Sequence, residues 1–238
     1  MKYAAQVANS ESGGLTQLAN ALQSLLVQVP DLEVHLIGHS AGSILLAPMI
    51  EVLKKRRIPI AGAHLYAPAC TVAFANNQWL PHVGALDPLQ GTFPLRVSML
   101  SDSCERDDNV ITIYQKSLLY FIARGIEEDG PVPILGMEGA WNPEKVFDGW
   151  NGDGKTLASL SDLSKARKTL EGRGLELNIL DAHRVFTHTL KSGKPDKGRS
   201  VEAAHGAFDG DAPLILDTIK RIRGGAALDP VLDLSGVP

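Results

Sequence analysis

Hydrophobic and polar positions along the chain follow helix-like and strand-like patterns in turn. Over residues 14–29 the apolar side chains recur every three or four positions, which predicts a helix that Pro30 ends. The short apolar run 34–37 predicts a buried strand, and helical spacing resumes over 43–53. The same patterns predict further strands at 61–67, 95–100 and 132–137, helices at 117–126 and 157–170, and one or two strands within 175–190.

The order of these elements indicates the fold class. Strands alternate with helices along most of the chain, which is typical of an α/β fold whose mostly parallel sheet is flanked by helices on both faces. Asp211 is placed to cap the last helix. We expect one domain over residues 1–225, with a variable insertion at about 140–200, a mobile loop at 192–198 and a C-terminal tail over 226–238.

Composition narrows the classes of function. The chain has 238 residues, 44% of them hydrophobic and 21% charged, so it is large enough to bury a sizeable core. A net charge of -4 argues against a nucleic-acid partner. Two cysteines without CxxC spacing provide no metal or redox signature, and we expect neither a metal nor an organic cofactor. No segment has the length of a membrane span, and no apolar export segment is seen, so we expect a cytoplasmic protein.

A candidate nucleophile lies in the run Gly38-His39-Ser40-Ala41-Gly42, between a predicted strand and a predicted helix. A serine on such a sharp turn has a strained backbone, and a side chain two residues to either side would collide with the neighbouring chain, which explains both glycines. The Ser40 hydroxyl would stand at the helix N-terminus, where the helix dipole favours negative charge. The Ala41 N–H would donate to the oxyanion of a tetrahedral intermediate.

This run, following an apolar strand, resembles the nucleophile elbow of α/β-hydrolase serine esterases and lipases. Residues 65–69 (Leu-Tyr-Ala-Pro-Ala) resemble the next strand of that superfamily, and residues 205–209 (His-Gly-Ala-Phe-Asp) resemble its C-terminal loop with the catalytic histidine. The resemblance runs from about 14 to 223 and is weakest over 140–200. It implies a three-layer sandwich and a serine hydrolase that cleaves a small-molecule or lipid-like carboxylic ester through an acyl-serine intermediate.

A serine nucleophile needs a base, which is usually histidine. The superfamily order of serine, acid and histidine places the base in the loop before the last helix, which selects His205, with His188 as the main rival. His35 and His64 lie within predicted strands, and His39 occupies the variable position of the serine motif.

The third member of a triad would be a carboxylate that orients the imidazole and stabilises the imidazolium. The same superfamily order implies an acid after strand 95–100. Asp108 begins an Asp-Asn-Val run that resembles the Asp-x-Val often found there in lipases. Asp102 lies nearest the strand end, and Glu138 follows the predicted strand 132–137. All three stay open as candidates.

The beginning of the superfamily fold has no counterpart here. Several strands and a His-Gly loop with the second oxyanion donor normally precede the nucleophile strand, whereas only 33 residues precede Val34. We therefore expect an N-terminally truncated version of the fold, either a fragment of a longer chain or a reduced fold. In both cases strand 34–37 would be an apolar edge that favours self-association. One lost oxyanion donor typically costs about a hundredfold or more in rate. We therefore expect a protein that is weakly active and, because of the strand edge, poorly soluble or oligomeric.

Two other functions use the same residues. A non-catalytic binding or scaffold domain could retain the elbow, and an acyltransferase could use the same triad with an acceptor other than water. A nucleotide-binding domain is disfavoured because the turn has neither Gly-x-Gly-x-x-Gly nor Gly-Lys-Ser/Thr.

Overall fold

The computed structural model of the chain describes most of its residues. They are 2–108, 116–127, 131–142, 144, 154–172, 174–181, 184–186, 199–201, 204–208 and 210–225.

A four-stranded parallel sheet forms the centre of the fold. Its strands lie side by side in chain order: β1 (Val34–His39), β2 (Ile60–Tyr66), β3 (Leu95–Leu100) and β4 (Leu175–Leu180). A separate antiparallel pair consists of β5 (Arg184–Phe186) and β6 (Arg199–Val201). The inner strands β2 and β3 are buried along nearly their whole length, as expected of parallel strands covered on both faces.

Helices connect and cover these strands. In chain order they are α1 (Lys2–Ala8), α2 (Gly14–Gln28), α3 (Gly42–Lys55), α4 (Val72–Gln78), α5 (Asp102–Asp107), α6 (Leu118–Phe121), α7 (Glu138–Trp141), α8 (Gly154–Lys168) and α9 (Ala212–Ile222). One turn of π-helix extends α6 through Ile126, so the helix expected over 117–126 is present in two parts.

The sheet has helices on both faces. On one face Gly38 of β1 lies against α3, which itself packs on α1 and α2. On the other face Tyr66 of β2 donates its hydroxyl hydrogen to Thr218 of α9 at 2.7 Å. This arrangement confirms the predicted α/β class with three layers.

The core lies on both sides of β2 and β3. The largest fully buried side chains are Trp79, Tyr120, Phe93, Phe208, Ile50, Leu53, Leu65, Leu95, Met99, Leu119 and Ile134. The Trp79 indole N–H donates to the carbonyl of Ser43 at 2.8 Å, so the largest core side chain also anchors the first turn of α3. The core therefore stabilises the helix that follows the serine motif.

The strand expected over 132–137 is absent, so that prediction is wrong. Pro133 has no N–H to offer to a ladder, and within this run Ile134 makes an isolated antiparallel bridge. The Gly136 N–H donates to the carbonyl of Pro68 at 2.9 Å. The run is apolar because it packs across the connection that follows β2.

Other expectations differ in part or lie outside the described residues. The acidic segment after β3 forms the short helix α5, whose N-cap Ser101 accepts from the N–H of Cys104. The loop 192–198 and the tail 226–238 lie outside the described residues, and the domain boundary at residue 225 stays a prediction. Within the described residues no helix is both long enough and apolar enough to cross a bilayer.

We expect Gly136→Ala to destabilise the protein. An added Cβ would lie 2.7 Å from the backbone of Pro68, which cannot rotate away as a side chain could, so the free energy of unfolding should fall by about 1–3 kcal/mol. Urea denaturation measures the change. Gly14→Ala is the matched control because an added Cβ there meets no atom within 4 Å. Equal midpoints for the two variants would contradict the close packing at Gly136.

Candidate active site

Ser40 lies at a sharp turn between β1 and α3. Its φ is +50°, in the left-handed region that residues with side chains rarely adopt. Such a conformation costs on the order of 1–3 kcal/mol and persists only where surrounding contacts hold it. The turn therefore has the strain expected of a serine on a nucleophile elbow.

Hydrogen bonds to its backbone hold Ser40 in this conformation. Its N–H donates to the carbonyl of Tyr66 at 2.8 Å, and its carbonyl accepts from the N–H of Ala69 at 3.1 Å. The same carbonyl also accepts from the N–H and from the hydroxyl of Ser43, at 3.1 and 2.7 Å. The turn is thus fixed both by the segment that ends β2 and by the first turn of α3.

The two glycines of the motif differ in their steric role. An added Cβ at Gly38 would lie 3.0 Å from a methyl carbon of Leu46 and 3.1 Å from the backbone of Gly42, so a side chain there would force a shift. An added Cβ at Gly42 meets no atom within 4 Å. The collision expected from the sequence on both sides of Ser40 is therefore present at Gly38 and absent at Gly42, which is the first residue of α3.

Ala41 is the N-cap residue of α3. The first N–H groups of a helix have no acceptor within the helix and carry the positive end of its dipole. The Ala41 N–H lies in this position immediately after Ser40, which is the place expected for an oxyanion donor.

The side chains of Ser40 and His205 are hydrogen-bonded. His205 begins a single 3-10 turn, His205–Ala207, before α9, and its Nε2 lies 2.9 Å from the Ser40 hydroxyl oxygen. This distance is within the range over which a base accepts a proton from a nucleophile. The structure thus brings together two predicted site residues that are 165 positions apart in the sequence.

The His205 ring is buried, with 6% of the residue exposed. Burial, together with a smaller contribution from His39, lowers the pKa of His205 to about 4, while Asp108 acts in the opposite direction. The imidazole is therefore neutral at neutral pH, and in its Nδ1–H tautomer Nε2 can accept a proton.

Asp108 is the carboxylate that contacts His205. Its Oδ2 accepts from the backbone N–H of His205 at 2.8 Å, and its charge raises the pKa of the imidazole. The His205 Nδ1 has no hydrogen-bond partner within the described part of the chain. Asp108 therefore acts on the ring through its charge and on the loop through the backbone contact.

The other two candidate acids make contacts away from His205. The Asp102 carboxylate pairs with Arg106 at 2.8 Å and accepts from the hydroxyl of Tyr120. The backbone N–H of Asp102 donates to a carboxylate oxygen of Glu138 at 2.8 Å. These contacts join α5, α6 and α7. Of the three candidate acids, Asp108 is the one with a hydrogen bond to His205 among the described residues, and that bond reaches the backbone N–H.

The remaining candidate histidines lie elsewhere. His35 and His64 line a cavity of about 330 Å³ together with Arg96 and Arg221, near the start of the parallel strands, whereas Ser40 lies at the end of β1. His188 lies outside the described residues.

His39 is a site residue that the sequence analysis did not identify. Its Nε2 lies 2.9 Å from the backbone carbonyl oxygen of His205. The variable position of a Gly-x-Ser-x-Gly motif carries no local signal for this contact, because the partner lies 166 positions away.

Among the described residues no group of three or more His, Cys, Asp or Glu side chains has the arrangement needed to hold a metal ion. No protein-family model, curated protein or solved structure matches this chain. The assignment of chemistry to the site therefore depends on its own residues and their geometry.

We expect His205 to make the stability of the protein depend on pH. The unfolded chain binds a proton at His205 below about pH 6.5, whereas the folded protein binds it only near pH 4, so the unfolded state binds more protons in this interval. The free energy of unfolding should therefore fall as the pH decreases, by about 3 kcal/mol from this group.

Urea unfolding of the wild type and His205→Gln at several pH values measures this contribution. Comparing the two proteins cancels other groups, such as Glu105, whose pKa burial raises to about 8, and His64, whose pKa burial lowers to about 4. Between pH 7 and 4 the wild type should lose about 3 kcal/mol more than the variant. Parallel pH dependences would contradict the buried, neutral imidazole.

Proposed function

We propose that this protein is a serine hydrolase that cleaves a carboxylic ester through an acyl-Ser40 intermediate. The observation that carries the proposal is the 2.9 Å contact between the Ser40 hydroxyl and Nε2 of a buried, neutral His205. The left-handed backbone conformation of Ser40, at the N-terminus of α3, also supports the proposal. The combination of a nucleophile, a base and a helix N-terminus matches the requirements of acyl transfer.

In the first half of the reaction, Ser40 Oγ attacks the ester carbonyl carbon and its proton passes to His205 Nε2. The carbonyl oxygen becomes an oxyanion, which accepts from the Ala41 N–H. When the tetrahedral intermediate collapses, the bond to the alcohol oxygen breaks and the imidazolium gives its proton to that oxygen. The products of this half are a free alcohol and an acylated Ser40.

In the second half, His205 takes a proton from water, whose oxygen attacks the acyl carbon. Collapse of the second intermediate releases the carboxylic acid, and Ser40 regains its proton from the imidazolium. An alcohol or amine that replaces water would accept the acyl group by the same steps. An acyltransferase with this site is therefore an alternative form of the same proposal.

Asp108 has an electrostatic role in this mechanism. The imidazolium that forms in each half-reaction is buried, so a carboxylate within range stabilises it. The hydrogen bond from the backbone N–H of His205 to Asp108 also holds the loop that carries the imidazole ring. The substrate is a small-molecule or lipid-like ester in this proposal.

A binding or scaffold domain is the second candidate function. Among the described strands, β1 has a neighbour on one side only, and Ile37 within it is 48% exposed. An apolar strand edge of this kind favours pairing with another chain. Self-association through β1 is compatible with either candidate.

We expect a fluorophosphonate probe to label the wild type covalently at Ser40, because His205 can remove the hydroxyl proton as the phosphorus is attacked. Ser40→Ala should abolish labelling. Ser24→Ala, which replaces an exposed serine in α2, should leave labelling unchanged. Intact-protein and peptide mass spectrometry measure the modification. A folded wild type that is not labelled would reject the hydrolase and favour the scaffold.

We expect Asp108→Asn to lower kcat/KM for a p-nitrophenyl ester by about a hundredfold or more, because the buried imidazolium loses its counter-charge. Asparagine keeps an oxygen that can accept from the His205 N–H, so the variant tests the charge. Asp102→Asn is the matched control and should change kcat/KM by less than about tenfold, since that carboxylate pairs with Arg106. A larger loss in Asp102→Asn would assign the acid to Asp102 instead.

A further inference from the structure

The side chain next to the nucleophile contacts the backbone of the base. His39 is the last residue of β1 and directly precedes Ser40. Its Nε2 donates to the backbone carbonyl of His205 at 2.9 Å. The nucleophile strand and the histidine loop are therefore joined twice, once by the Ser40–His205 side-chain contact and once by this bond.

The His205 backbone is held from both sides. Its N–H donates to Asp108 and its carbonyl accepts from His39, at 2.8 and 2.9 Å. The loop at this point is a single 3-10 turn, which has few internal hydrogen bonds of its own. Contacts from outside the turn therefore fix the backbone from which the imidazole projects toward Ser40.

Ring contacts fix the orientation of His39. Its ring centroid lies 5.3 Å from that of His205 and 5.7 Å from that of Phe208. Phe208 is 2% exposed and stacks on Tyr66 at 6.2 Å. The His39 imidazole is thus packed against rigid core side chains, which limits the positions that its Nε2 can take.

We propose that His39 is a positioning residue, which holds the His205 backbone where Nε2 of His205 can contact the Ser40 hydroxyl. This role rests on the proposed hydrolase function. The bond requires a hydrogen on Nε2 of His39, which the Nε2–H tautomer and the imidazolium both provide. Because His39 and Ser40 are consecutive residues, any movement of the loop away from His39 also lengthens the distance between base and nucleophile.

His39 has a second effect on the base. His39 lowers the pKa of the His205 ring, and Asp108 raises it. A residue without an ionisable side chain at position 39 removes the contribution that lowers this pKa. The acid limb of the kcat/KM profile, which reports the protonation of the free base, should therefore move to higher pH in any neutral variant.

A matched pair of variants separates the donor from the ring. His39→Phe keeps an aromatic ring against Phe208 and removes the donor, whereas His39→Gln keeps an N–H donor at a similar reach and removes the ring. We expect His39→Phe to lower kcat for a p-nitrophenyl ester by about tenfold with KM changed less than about twofold. His39→Gln should recover kcat to within about threefold of the wild type.

Hydrogen exchange followed by mass spectrometry tests the same contact without catalysis. Amides in a peptide that covers residues 204–208 should exchange faster in His39→Phe than in the wild type, and His39→Gln should restore their protection. If His39→Phe does not fold, as judged by its urea transition, His39→Met replaces it as the variant without a donor.

The outcomes distinguish the two proposals. Equal kcat and equal exchange in the donor and donor-free variants would overturn the positioning role. A wild type that is neither labelled at Ser40 nor active on the ester would reject the hydrolase. In that case the exchange rates alone decide whether His39 holds the loop, and equal rates would overturn that contact too.

Discussion

The hydrogen bonds around the backbone of Ser40 set the geometry on which the rest of the site depends. They come from the end of β2 and from the first turn of α3, and together they hold the residue at φ +50°. A β-type backbone at this position would continue the strand and direct the hydroxyl elsewhere. Because the donors and acceptors are themselves anchored in the core, through Trp79 in particular, the strain at Ser40 is supported by the packing of the whole sheet.

The parallel sheet explains why residues distant in sequence meet here. Parallel strands end at a common edge, and ligand sites of α/β folds lie beyond that edge. Ser40 follows β1 directly, and Asp108 follows α5, the short helix at the end of β3. His205 reaches the same place from the segment before α9, where Asp108 and His39 contact its backbone. The topology therefore brings the residues of the proposed site together at one edge of the sheet.

Features encoded by local patterns were predictable from the sequence. The turn at Ser40 was identified because a strand pattern, two glycines and a helix pattern occur in order, and β3 was predicted at the residues where it lies. The strand expected over 132–137 was wrong because an apolar run of that length also describes a segment packed across a neighbouring connection. Hydrophobicity reports burial and does not by itself report hydrogen bonding.

The rest of the site depends on contacts that span the chain. The prediction of His205 rests on the order of residues in a resembling superfamily and on the likeness of residues 205–209 to its histidine loop, because no hydrophobic pattern marks a base. Asp102 and Asp108 are only six positions apart, and they differ in their contacts. Asp102 pairs with Arg106, whereas Asp108 accepts from the backbone N–H of His205. The role inferred for His39 has no local signal, because it arises where two segments meet in the folded chain.

The position of the hydrogen on the His205 ring decides whether this residue can act as the base for Ser40. A base for Ser40 must have Nε2 free of hydrogen, so the neutral ring must carry its hydrogen on Nδ1. Nitrogen NMR of imidazole-labelled protein at neutral pH, with His205→Gln to assign the signals, distinguishes the two tautomers. We predict an unprotonated Nε2 that accepts from the Ser40 hydroxyl. A hydrogen on Nε2 would make His205 a donor to Ser40 and would contradict its role as the base.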